Sequence, residues 1–238
     1  MFKKFFTTTK NNKISIEECL NIISKETQST KKERQKAINK LLQTNHRDFS
    51  NVDLSELELC SQNFSDMTLS NINFARADLS SCCFNNTKIF LVNFTAADLH
   101  SARFESTYLE RVRFNNAKMS KCQFTRSELH RVNLESACLV SAILEDTSFK
   151  KTTLKNSIMS FACFRCPISY RQLAECKDLL GIRGFNVDFL RKIRKLNPKL
   201  MEWWDGLSRI NYELWHEWRK EHPEADYESW YEWMKEYY

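Results

Sequence analysis

The sequence predicts a mainly β protein, a narrow coil of square turns closed at both ends by α-helices. Three observations carry this expectation. A large apolar residue returns at every fifth position from Phe49 to Phe164, twenty-four steps without a polar exception. Two residues before it the side chain is usually small, as at Val52, Ala77, Cys82, Ala97, Ala102, Ala117, Cys122, Ala137 and Ala142. Neither glycine nor proline occurs before Pro167, so the turn residues that ordinary hairpins need are missing.

A period of five fits neither the helical repeat nor the alternation of a flat strand. It does fit a wall that turns a corner every five residues, with one large and one small side chain inward and the other three outward. Four sides then close a turn of about twenty residues, and stacked turns pair their backbones at about 4.8 Å. The twenty-four steps give six turns and a rod roughly 30 Å long at that spacing. Phe64, Phe74, Phe84, Phe94, Leu99, Phe104, Leu109, Phe114 and Phe124 are the expected core, and the thiols of Cys82 and Cys122 fill small inward positions.

The stretches "RADLS", "AADLH", "NINF" and "RVNL" stand close to A(D/N)Lxx, and through them residues 47–166 resemble the pentapeptide-repeat family. The resemblance implies a right-handed quadrilateral β-helix. Leu57, Gln62 and Met67 depart from the small residue of the motif, so irregular first turns are expected.

An open coil exposes unpaired strand edges, and the flanks are suited to covering them. Residues 1–46 form a basic N-terminal cap. Within it Ser15 with Glu18, and Thr30 with Glu33, have capping-box spacing, which predicts two helices. Residues 167–238 form a C-terminal cap and tail. Pro167 is expected to end the repeat, and Ser169 with Gln172 to open a helix that bears Leu173, Cys176 and Leu180 and stops at Gly181. All six tryptophans, Trp203, Trp204, Trp215, Trp218, Trp230 and Trp233, lie in the tail. Trp203, Leu207, Ile210, Leu214 and Trp218 share one helix face, and a second helix follows Pro223. These aromatics either pack on the rod or form a partner or homodimer surface.

Charge is segregated along the chain. Residues 1–46 carry ten Lys/Arg against four Asp/Glu, residues 47–165 fourteen against thirteen, and residues 166–238 twelve against thirteen. Cysteines placed in the repeat, with no secretory signal, suggest reduced thiols and cytoplasmic folding, with export by a non-Sec bacterial system left open. No apolar stretch reaches the roughly 20 residues of a membrane span.

Catalytic chemistry is poorly represented. With only Gly181, Gly184 and Gly206, the chain lacks the glycines of a nucleophile elbow, a phosphate loop or a dinucleotide fingerprint. His46, His100, His130, His216 and His222 show no metal spacing and read as solvated surface residues. Cys163, Cys166 and Cys176 are a weak zinc set, outweighed by packing at the end of the coil, so neither metal nor cofactor is expected.

Positions twenty apart should stack into columns. Arg111, Arg131 and Lys151, flanked by His130 and Lys150, form a basic column suited to an acidic partner; Glu58, Asp78 and Asp98 form an acidic one. Resemblance to the family suggests two uses, a protein-binding rod that includes delivered bacterial effectors, and a gyrase-binding mimic of DNA that often dimerises through C-terminal helices. The balanced charge favours the first, a non-catalytic interaction or scaffold protein of unknown partner. A thiol-dependent enzyme ranks last, and nucleic acid is not an expected ligand.

Overall fold

The computed structural model describes residues 15–44, 46, 48–201 and 218–223. Their organisation is a parallel β-solenoid of about six turns with helices at its ends. One wall is a regular parallel sheet of short strands stacked in order: β1 (Asp48–Ser50), β2 (Thr68–Ser70), β3 (Lys88–Phe90), β4 (Tyr108–Glu110), β5 (Glu128–His130) and β7 (Ser148–Lys150). Each strand pairs with the residue twenty further on, as in Leu69↔Ile89 and Leu109↔Leu129. A second ladder joins β6 (Ile143–Glu145) to β8 (Cys163–Arg165), and single bridges such as Asp78↔Asp98 and Arg103↔Gln123 carry the same register around the other walls.

The five-residue unit explains itself at the corners. Every fifth residue from Asn51 to Phe161 has a positive φ, between 52° and 62°, and none of these is glycine. A left-handed conformation costs a non-glycine residue about 1–2 kcal/mol. Here the corner N–H is simultaneously placed to donate to the next turn, as Arg76 does to Thr95 O at 3.0 Å and Ser81 to His100 O at 2.8 Å. The Asp or Asn of the repeat unit supports the same corner. Its Oδ1 accepts the N–H two residues on, as Asn93 does from Thr95, Asp98 from His100 and Asn133 from Glu135.

The interior is divided by wall. From Phe64 to Phe124 phenylalanine occupies alternate central positions, so the rings fall in two facing columns. Phe64, Phe84, Phe104 and Phe124 stack nearly parallel at 5.1, 4.8 and 4.7 Å. Phe74, Phe94 and Phe114 stack opposite at 5.1 and 4.9 Å, and the two columns meet edge to face, as Phe104 meets Phe114 at 6.0 Å and 89°. Leu99, Leu109 and the other aliphatic residues line the remaining walls, and all nine expected core residues are at most 1% exposed.

Along one corner the small inward residue is a hydroxyl. The Oγ1 of Thr87, Thr107 and Thr147 donates to the carbonyls of Phe64, Phe84 and Phe124 at 2.8, 2.7 and 2.7 Å, and Ser127 donates to Phe104 O. Cys82 and Cys122 take the equivalent place on another corner, facing Leu59 O and Leu99 O. The first turns, expected to be irregular, are regular: Glu56, Ser61 and Asp66 adopt the same corner φ, Leu57 and Met67 are buried, and only Gln62 is partly exposed.

Both capping boxes of the N-terminal region form. Helix α1 (Ile16–Ile23) begins at Ser15 and helix α2 (Lys31–Leu41) at Thr30. The two helices satisfy the strand edge of the first turn directly. Asp53 N–H donates to Ile23 O at 2.7 Å, Arg34 donates to the carbonyls of Asp53 and Ser55, and Gln35 both donates to Glu58 O and accepts Glu58 N–H.

The C-terminal end differs from the sequence expectation. Pro167 ends the five-residue pattern, but backbone pairing resumes with Ile158↔Asp178 and Cys163↔Arg183, so coil geometry runs beyond Cys166. The helix expected to reach Leu180 is only α3 (Tyr170–Leu173), opened by the Ser169–Gln172 box. Cys176 and Leu179 instead turn into the core, and Gly181, φ 62°, is a coil corner twenty residues after Phe161. Sealing falls to α4 (Val187–Leu196), whose Phe189 stacks on Phe185 at 4.4 Å, while Phe185 meets Phe164 at 5.3 Å. A 3₁₀ turn, Pro198–Met201, follows. Among the described tail residues Trp218 is buried and stacks on His222 at 4.3 Å. Trp203, Trp204, Trp215, Trp230, Trp233 and the expected second tail helix lie outside the described residues.

Candidate functional site

The structure brings Arg111, Arg131 and Lys151 together along one corner of the rod. Each occupies the left-handed position, with φ 55°, 56° and 55°, and each is exposed. Their backbones sit one turn apart, since Arg111 N–H donates to His130 O at 3.0 Å and Arg131 N–H to Lys150 O at 2.8 Å. A corner residue projects away from both adjoining walls. Among the described residues none of the three cations is in an ion pair, whereas neighbouring Lys150 reaches Glu128 at 4.0 Å. Like charges a ladder step apart repel by up to about 1 kcal/mol per pair in water, so an anion on this edge would relieve strain already present.

The same corner continues beyond the cations in residues that sequence reasoning did not single out. Twenty residues before Arg111 stands Leu91, 52% exposed, beside Phe90, whose ring lies 5.7 Å from that of Tyr108. Tyr108 Oη donates to Glu110, and burial followed by that carboxylate raises its phenol above the ordinary value. Further along, Asn71 donates to Asn51 at 2.6 Å and accepts from Lys25 Nζ at 2.8 Å. Burial draws the Lys25 ammonium below the usual lysine value, with Asp53 opposing the shift and Arg113 adding to it. Column counting in twenties, extended upward from Arg111, was the signal available for Leu91.

The acidic column is built differently. Asp78 accepts both the N–H and Oγ of Ser80, and Asp98 accepts His100 N–H. Glu58 faces Lys31 at 3.7 Å. Two of the three carboxylates are therefore turn caps and the third has a cation beside it, so the column does not project a sustained negative field.

Cys163, Cys166 and Cys176 do not assemble. Among the described residues no three His, Cys, Asp or Glu side chains are grouped to hold a metal ion. Cys176 points inward to Ser157 Oγ at 3.4 Å and Met159 Sδ at 3.9 Å, and burial pushes its thiol up to about 12; Cys166 is pushed up to about 11, again chiefly by burial. Thiols held in this way are poor nucleophiles and poor ligands. Contrary to the expectation of a solvated ring, His46 is half-buried and meets Phe49 edge-on at 5.0 Å, with its Nε2 shielded from solvent. It lines an open cleft of about 700 Å³ between α1 and β1, together with Glu17, Glu18, Leu20 and Asp48. No described helix is long and apolar enough to cross a membrane.

A parallel β-solenoid with polar walls and an exposed cationic corner defines the class of protein, a repeat-built rod. Within that rod, residues 57–134 match the family model described as a pentapeptide repeat region. No curated protein matches the chain. Among solved structures, the chain is similar to a pentapeptide repeat protein of the Arabidopsis thaliana thylakoid lumen, with 22% identity over 57% of this chain and 79% of that one and a TM-score of 0.36. A trypsin-treated variant of QnrB1, a plasmid-mediated fluoroquinolone resistance protein, matches at 18% identity over 60% and 86%, with a TM-score of 0.31. Rfr23, a pentapeptide repeat protein of the cyanobacterium Cyanothece 51142, matches at 20% over 50% and 90%, with a TM-score of 0.23.

Proposed function

We propose that this chain is a non-catalytic interaction or scaffold protein whose rod offers the Arg111–Arg131–Lys151 corner to an acidic segment of a protein partner. The observation that carries the reading is the placement of three exposed cations, none in an ion pair among the described residues, on consecutive turns of a rigid coil. Rigidity matters because the backbone spacing is set by the ladder, so little side-chain-bearing chain has to be ordered on binding. Leu91, on the same corner, supplies an apolar anchor next to the charges.

A DNA-mimic role would need an extended acidic surface, and the caps formed by Asp78 and Asp98 argue against one. A thiol enzyme would need an accessible, acidified cysteine, and burial moves the thiols of Cys82, Cys166 and Cys176 the other way.

The test is affinity enrichment with the full chain and with an Arg111→Glu, Arg131→Glu double variant, followed by direct titration of each recovered protein. Binding of an acidic partner should fall at least ten-fold in the variant and weaken with salt. Equal affinity for wild type and variant would remove the corner from the binding surface. Homodimerisation through the C-terminal helices is a separate proposal, read from solution mass before and after removal of the chain beyond Leu200.

A further inference from the structure

The cap at the C-terminal end carries a second charged surface, distinct from the rod corner. Helix α4 turns Ile193 fully inward and packs Phe189 and Leu190 against the core. Away from that face the helix exposes Arg191, Lys192 and Lys195, Leu196 stands exposed at the flank beside them, and Lys199 follows in the 3₁₀ turn. Between Cys166 and Met201 the chain has eight Lys/Arg and three Asp/Glu. Two of those carboxylates are engaged: Asp188 pairs with Arg191 at 3.0 Å, and Asp178 accepts from Ser160 and from Leu180 N–H.

Helix stability accounts for part of this composition. Cations in the last turn, here Arg194 and Lys195, complement the helix dipole, and Lys192 lies 5.8 Å over the Tyr170 ring. Neither effect explains Lys199 beyond the helix, or why Leu196 stands 53% exposed among Lys192, Lys195 and Lys199. Phosphate recognition on a nucleic acid would gain from the lysines and nothing from the leucine. A lipid surface uses both, because the ammonium groups meet anionic headgroups while the leucine and the lysine stems enter the apolar boundary.

We propose that α4 and Lys199 form a contact face for an anionic bilayer, which would bring the rod to a membrane surface by its C-terminal end without spanning it. Clustered lysines on an amphipathic helix bind such surfaces, at roughly five-fold in partition per side chain.

Full-length protein is to be sedimented with phosphatidylcholine vesicles, with and without phosphatidylserine. Binding is expected only with phosphatidylserine and should decline as salt rises. A Lys192→Gln, Lys195→Gln, Lys199→Gln variant should lose about 100-fold in partition from the three side chains together, and Leu196→Ser several-fold, while Arg111→Glu, Arg131→Glu leaves vesicle binding unchanged. Circular dichroism melting establishes that each variant is folded, and the Leu196→Ser variant stands alone should the triple variant not be. The proposal falls if wild type ignores phosphatidylserine, if the lysine variant binds as wild type does, or if Leu196→Ser has no effect. Tighter retention on a duplex oligonucleotide, indifferent to Leu196→Ser, would overturn it in favour of a phosphate-reading surface. Loss of binding in the rod-corner variant would assign the vesicle contact to that corner instead.

Discussion

Replacing Phe104 by alanine removes a ring from the middle of the longer aromatic column. Phe104 is 0% exposed, lies between Phe84 at 4.8 Å and Phe124 at 4.7 Å, and meets Phe94 and Phe114 edge-on at 6.5 and 6.0 Å. Truncation of a buried phenylalanine costs about 3–5 kcal/mol, depending on how far the site can collapse. Here collapse is opposed from above and below, because the neighbouring rings are held one ladder step away by backbone pairing. The expected loss is therefore about 4 kcal/mol or more. Phe104→Leu should lose no more than about 1.5 kcal/mol, since Leu144 already stands in the same column.

The assay is equilibrium urea unfolding followed by two probes. Far-UV circular dichroism reports the coil, and tryptophan fluorescence reports only the segment from Trp203 to Trp233. Solenoid stability is close to a sum of nearest-neighbour terms, so a break at mid-coil should lower the dichroism transition and separate it from the fluorescence transition. A loss below about 1 kcal/mol, or one equal for alanine and leucine, would refute the view that interlocked rings hold the coil together.

Two further predictions concern the end of the coil and the buried thiols. Gly184, φ +99°, has room for no side chain, since a Cβ would lie 1.4 Å from Phe164 O. Gly184→Ala should therefore cost about 3 kcal/mol, seen as faster hydrogen exchange at the Phe164 amide that donates to Arg183 O; unchanged protection there would count against the described seal. Cys82 is pushed up to about 12 from 9.0, mainly by burial, so the folded chain holds a proton that the unfolded chain releases above pH 9. Its contribution is fully present below pH 9 and is lost as pH rises toward 12. Stability of the wild type should fall across that window more steeply than that of Cys82→Ala, while exposed Cys60 alkylates at once and Cys82 and Cys122 only on unfolding. Prompt labelling of Cys82 in the folded chain would contradict its burial.

Much of this architecture was legible because a single side chain in each five settles which way the wall faces. The capping boxes at Ser15, Thr30 and Ser169 were equally readable, being local rules with local partners. What escaped was set by distant chain. The coil continues after Pro167 because Asp178 and Arg183 find edge partners in Ile158 and Cys163, although the intervening residues abandon the repeat. Gly181 looked like a helix stop since a coil corner and a helix terminus ask for the same left-handed φ. The acidic column was visible as residue types and too short to suggest a sustained field, but the capping role of Asp78 and Asp98 was not legible, for an aspartate that caps a turn cannot be told by composition from one that projects. The threonine column, by contrast, was present at twenty-residue spacing from Thr87 to Thr147 and invisible to a reading that sought only apolar small residues.

The repeat unit also governs how such a chain tolerates changes of length. Folding asks only that five be respected, since every fifth residue is a core residue. The alternation of phenylalanine with aliphatic residues asks for ten, because a shift of five would set rings against the aliphatic walls. The outer columns ask for twenty: Arg111 meets Arg131 and Lys151 on one corner only because whole turns separate them. A deletion of ten residues within the coil would leave a well-packed, folded rod whose later surface faced the opposite side. Interior and exterior thus answer to different divisors of the same turn, and a lineage that gains or sheds short segments can keep its stability while scrambling its recognition.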